Sequence, residues 1–149
     1  MSSILLGAKL FFLSGLIFLV ASLFRRRPDT PSIAIYLHAT YIVIGHFHLL
    51  LLSSFALWVY AGLYYSGARL LGLQFNNWLV LGHLGVTVVA LIGLNSAPYL
   101  IVARPTESPA QPYFLKVGFL SLGLFLMSIV VFFVIFLLSS GERLWRIPT

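Results

Sequence analysis

The chain has 149 residues, of which 60% are hydrophobic and 8% charged, whereas soluble domains carry about 25% charged residues. Nine Lys+Arg against three Asp+Glu give a formal charge of +6, but a nucleic-acid site needs a basic face on a polar surface, and too little polar surface exists here to build one. The absence of Cys excludes disulfides, thiol chemistry and Cys-ligated metal clusters, while a mean hydropathy of +1.04 and long uncharged runs point to a membrane protein.

A hydrocarbon core ~30 Å thick takes about 20 apolar residues of helix to cross. Residues 4–24 form the first such run, interrupted only by Lys9 and ended by Arg25-Arg26-Arg27-Pro28. The lysine stem can snorkel to the boundary. The run is longer than the apolar region of a secretory signal, about 7–15 residues, and arginines rather than small residues follow it, so it reads as a retained helix. Asp29-Thr30-Pro31-Ser32 then reads as a turn, with Ser32 as an N-cap.

Residues 33–65 contain neither a charge nor a proline, which predicts one long helix, tilted or projecting from the bilayer. It carries His38, His46 and His48. A third helix is expected over about 78–103, after the turn-like Gln74-Phe75-Asn76-Asn77, with His83 and Pro98 inside it. Residues 104–112 hold Pro105, Pro109 and Pro112 with both charge signs and read as a loop. The fourth helix is expected over about 113–139, and Trp145 in the tail as an interfacial anchor. The period-two alternation of a membrane β-barrel is absent. The expected fold class is an all-α membrane protein: one transmembrane domain of four helices over residues 1–149.

All four histidines fall in these spans, where an ionisable side chain is a functional-site candidate. The bland reading makes each one hydrogen-bonded glue between helices, and for His38 or His83 alone that reading is the better one. Gly45-His46-Phe47-His48 is different. Residues two apart on a helix point about 200° apart, so His46 and His48 cannot chelate one metal together. They suit two separate cofactors flanking one helix, with Gly45 leaving room beside the first imidazole. Without Cys or a mid-span carboxylate, imidazole is the main protein ligand available, and haem iron accepts it.

The stretch Tyr36-Leu37-His38-Ala39-Thr40-Tyr41-Ile42-Val43-Ile44-Gly45-His46-Phe47-His48-Leu49 resembles the tenth helix of subunit I of haem-copper oxygen reductases, most closely the B-type branch. Gly93-Leu94-Asn95-Ser96-Ala97-Pro98, followed by Arg104, is similar to the end of the eleventh helix and its arginine-bearing loop. The resemblance implies that the chain corresponds to the ninth to twelfth helices. It implies that His46 is the proximal ligand of a high-spin haem, that His48 is an axial ligand of a low-spin haem on the other face, and that Phe47 lies between the two. His38 would sit near the haem propionates or the adjoining polar and metal site, and Arg104 would bind propionate. Here Pro105 follows Arg104, where the family has a second arginine.

The family's second low-spin ligand and its copper-site histidines lie on earlier helices that have no counterpart in these residues. Three possibilities follow: one piece of a split subunit I completed by a partner chain, a stand-alone haem-binding relative, or a degenerate subunit that binds nothing. The leading expectation is a haem-binding, electron-transfer subunit of a membrane terminal oxidase. It would hold one or two haems of undetermined type, with copper only where partner chains supply its ligands. The partners implied are other transmembrane oxidase subunits, membrane lipid, and an electron donor (cytochrome c, a cupredoxin or quinol) acting through the complex; nucleic acid is not among them. Activity would belong to the cytochrome c or quinol oxidase assembly rather than to this chain, in a multi-pass location expected to be a prokaryotic plasma membrane. The rival expectation is a cofactor-free assembly subunit of a membrane respiratory complex, and a histidine proton relay ranks third. His83 as an internal partner to His48 is disfavoured by a depth mismatch of ~7 Å at ~1.5 Å per residue. The positive-inside rule puts residues 25–27 and Arg104 in the cytoplasm; the resemblance implies the opposite orientation, which is the one expected.

Overall fold

The computed structural model describes residues 6–24, 32–37, 40–102 and 111–145. The elements run α1 (Leu6–Phe24), β1 (Ser32–Leu37), β2 (Thr40–Gly45), α2 (His46–Arg69), α3 (Asn77–Val102) and α4 (Gln111–Trp145). Four helical stretches are long and apolar enough to cross a membrane: Leu6–Phe24, Phe47–Arg69, Asn77–Ser96 and Lys116–Gly141. The expected class, a membrane protein of four spanning helices, therefore holds.

The second span differs from the expectation over its first turns. Ser32 opens a strand instead of capping a helix, and β1 pairs with β2 in an antiparallel hairpin whose register runs from Ser32↔Gly45 to Leu37↔Thr40. Helix α2 begins only at His46. The reason lies in side-chain branching: Ile33, Ile35, Thr40, Ile42, Val43 and Ile44 lose rotamer freedom in a helix and fit a pleated strand, as do Tyr36 and Tyr41. A two-stranded ladder keeps unpaired backbone groups on both outer edges, which lipid cannot satisfy. The hairpin therefore belongs at the water boundary or against other protein.

Cross-helix bonds give the direction of each neighbour. Ser54 Oγ donates to the Gly15 carbonyl at 2.8 Å and Trp58 Nε1 to the Phe12 carbonyl at 3.2 Å, so α2 runs antiparallel to α1. Tyr64 meets His83 while Ser53 meets Asn95, which makes α3 antiparallel to α2. Thr87 meets Ser128 and Gly93 abuts Ser121, which does the same for α4. The start of α1, the end of α2 and the start of α3 thus share one side. Between α2 and α3, Gly72 takes φ 62°, in the left-handed region that favours glycine, and Leu73 N–H donates to the Gly67 carbonyl at 3.1 Å. Asn76 then caps α3: its Oδ1 accepts from Trp78 N–H at 3.0 Å.

Close approach replaces hydrophobic contrast as the packing force, because lipid tails are as apolar as the helices. A Cβ on Gly15 would stand 2.5 Å from Trp58 Cδ1, so the bare backbone there lets the indole lie flat across α1, stacked on Phe12 at 5.8 Å and 19°. The interior is aromatic: Phe11, Tyr60, Tyr64, Phe75 and Phe132 are buried together, drawn from α1, α2, the α2–α3 turn and α4.

Candidate functional site

The four histidines have different fates. His38 lies outside the described residues. His46 is the first residue of α2, with its side chain outside the described set. Its position opens the row 46–50–53–57–60–64, in which Leu50, Ser53, Leu57, Tyr60 and Tyr64 are all buried. His48 stands about 200° round the helix from residue 46 and is exposed. Its ring meets Phe47 edge-on, at 5.4 Å and 77°, and Phe47 is half-buried. The two histidine positions thus belong to opposite faces of α2, one continuing the interior row and one facing outward.

On the outward face, His48 borders an open cleft of about 430 Å³ whose other walls are Leu51, Leu52, Ser54, Phe55 and Trp58. Leu52 and Phe55 are 64% and 63% exposed, so one side of the cleft has no protein over it among the described residues. An apolar slot with a single imidazole at its rim fits one face and edge of a planar macrocycle; it does not enclose one. As a haem site these residues form one half. Arg104, the propionate candidate, lies outside the described residues, and among the described residues no three His, Asp or Glu converge to hold a metal ion.

His83 sits where all four helices meet, 1% exposed. Its ring packs against Phe11 of α1 at 5.2 Å, Tyr60 of α2 at 4.7 Å and Phe132 of α4 at 6.1 Å. Nδ1 is 2.9 Å from the Tyr64 hydroxyl and Nε2 is 3.1 Å from Ser128 Oγ. Counting protons assigns the tautomer. Thr87 Oγ1 donates to the His83 carbonyl at 2.7 Å, so the 2.7 Å bond between Thr87 and Ser128 takes its proton from Ser128. Ser128 then accepts from His83 Nε2–H, and Nδ1 accepts from the Tyr64 hydroxyl. Each hydroxyl has one proton to give, and every one is used.

Neither His83 nitrogen is left for a metal. The distance from His48 is also prohibitive: Tyr64, which holds His83, lies 16 residues along α2 from His48 (64 minus 48), about 24 Å at ~1.5 Å per residue. The gap exceeds the one read from sequence because α2 starts at His46, so His48 sits in its first turn. A second polar group lies further along the same seam, where Asn95 Nδ2 donates to Ser53 Oγ at 2.8 Å and to the Leu91 carbonyl at 2.7 Å. Buried Leu57 and Leu91 belong to the same interior as these two polar groups.

Sequence reasoning passed over Tyr64, Ser128 and Thr87. Only the Thr87–His83 spacing of four residues was visible in one helix; the other partners come from α2 and α4 and need the packed bundle.

The fold and site define a multi-pass membrane protein with an outward-facing histidine at the head of its second helix. The chain is similar to part of cytochrome c oxidase subunit 1 of Candida albicans, 30% identical over 111 residues, covering 67% of this chain and 21% of the relative. The corresponding subunit of Debaryomyces hansenii is 27% identical over 124 residues, covering 76% of this chain and 23% of the relative. The chain spans about a fifth of the length of the curated relatives it matches. No protein-family model and no solved structure matches it. Both relatives are yeast proteins, so they lend no support to the expected prokaryotic plasma membrane.

Proposed function

We propose that this chain is a haem-ligating, electron-transfer unit of a membrane-bound terminal oxidase, corresponding to the last four helices of a B-type-like subunit I. The observation that carries the reading is the exposed imidazole of His48 on an apolar cleft. His48 stands in the first turn of the second span with apolar Leu51, Leu52 and Phe55 beside it, and iron is a partner that an imidazole at the rim of a slot can take. In this reading His48 would ligate a low-spin haem held against Leu52, Phe55 and Trp58, and His46 would ligate a second, high-spin haem from the other face of α2. Phe47, edge-on to His48, separates the two. Arg104 would hold a propionate, and His38 would sit near the propionates or the adjoining polar and metal site.

Haem, when bound, supplies one-electron redox chemistry. Leu52, Phe55 and Trp58 would hold its edge and keep water from one face, and His48 and His46 would each offer an imidazole nitrogen to iron. The remaining haem ligands would come from partner chains, copper would be held only where those chains supply its ligands, and electrons would arrive from cytochrome c, a cupredoxin or quinol through that assembly. The test is a pyridine haemochrome spectrum of the chain purified with its membrane partners. At least one haem per chain is expected; none would leave the cofactor-free assembly role. That second reading draws on His83, a histidine spent entirely on hydrogen bonds between helices.

A further inference from the structure

A second groove lies on the outer seam of α1 and α2, beyond Trp58 from the His48 cleft. It encloses about 700 Å³, with Ala8, Ala61 and Gly62 among its walls and Trp58 and Phe12 also lining it. The space is open at its floor, since a Cβ on Gly62 would meet nothing within 4 Å. From Trp58 to Tyr65 the groove follows α2 for seven residues (65 minus 58), about 10 Å at ~1.5 Å per residue, the reach of part of an acyl chain.

Two residues with polar tips stand at the end away from Trp58. Lys9 and Tyr65 line it, both exposed, and Arg69 follows Tyr65 by one helical turn, also exposed. Residues 4–24 and 46–69 contain no carboxylate, so neither cation has an acidic neighbour on its own helix. These groups stand near the start of α1 and the end of α2, at headgroup depth for helices that span from Leu6 and to Arg69. An apolar slot ending in two cations and a phenol matches one chemistry: a lipid with a negatively charged phosphate head. Basic pockets between transmembrane helices take such heads.

We propose that this groove is a binding site for an anionic phospholipid, its acyl chain lying against Gly62 and Ala61 and its phosphate held by Lys9, Tyr65 and Arg69. The site is separate from the haem cleft and does not depend on it. A lysine that merely snorkels favours anionic lipid whatever lies beside it; a built site also loses that lipid when the groove is filled.

Native mass spectrometry and thermal unfolding of the whole chain in mild detergent, with phosphatidylglycerol or phosphatidylcholine added, decide between them. Retention of phosphatidylglycerol and a raised unfolding temperature are expected, with phosphatidylcholine much weaker. Lys9→Gln should lower phosphatidylglycerol binding about fivefold, the weight of one basic side chain near an anionic head. Gly62→Leu should reduce binding of the same lipid while leaving the lipid-free unfolding temperature unchanged, because it fills open space. Equal binding of the two lipids, or normal binding by both variants, would overturn the proposal. So would equal stabilisation by inorganic phosphate, which would show a head-only site.

Discussion

His48→Ala is expected to abolish a six-coordinate low-spin haem spectrum in the purified assembly, while His46→Ala removes a different, high-spin or ligand-binding species. The expectation rests on helix geometry. Two residues apart is about 200° of rotation, and α2 is helical from His46 onward, so one iron cannot take both imidazoles. Position 46 continues the row of Leu50, Ser53 and Leu57, all buried, whereas His48 is exposed beside Phe55 and Trp58. Removing an axial ligand eliminates the six-coordinate state outright, so the effect is loss of a spectral species, read by absorbance and paramagnetic resonance. Loss of the same species in both variants would refute two-sided ligation. No spectral change in either would assign both histidines to structure.

His83→Ala is expected to do the reverse: to weaken the fold and leave the haem spectrum intact. The substitution empties a site at the junction of four helices and leaves the Tyr64 hydroxyl without its acceptor, while Ser128 keeps its bond to Thr87. A cavity plus a stranded buried hydroxyl costs about 2–4 kcal/mol in protein interiors. Single interhelical hydrogen bonds in membranes account for ~0.6 kcal/mol on average, so most of the loss should come from the vacated volume around Phe11, Tyr60 and Phe132. His83→Gln, which restores a donor and some volume, should recover part of it. Unfolding by denaturing detergent measures the difference. An unchanged midpoint accompanied by a vanished haem band would make His83 a ligand.

The spanning helices were legible because charge and proline are confined to a few places, and uncharged runs of span length have few other uses. Length alone misled over residues 33–45. The absence of charge hid a second signal, the density of Ile, Val, Thr and Tyr that pairs Ile33 with Ile44 and Tyr36 with Tyr41. Branching at Cβ, not hydropathy, sets where α2 begins. Within the site, the opposite facing of His46 and His48 follows from their spacing and needs no tertiary structure. That His48 borders an open cleft and that His83 is fully hydrogen-bonded do need it. Tyr64, Thr87 and Ser128 sit on three helices, and no local spacing links them.

The most direct measurement is the haem content of the 149-residue chain expressed alone in a haem-replete membrane and purified in mild detergent. Among the described residues only one wall of the His48 cleft is built, and His83 lies about 24 Å along α2 with both nitrogens engaged. The chain alone should therefore carry no stoichiometric six-coordinate haem, and should gain it only beside a transmembrane partner that presents a histidine opposite His48. A monomer with one six-coordinate haem per chain would contradict the account.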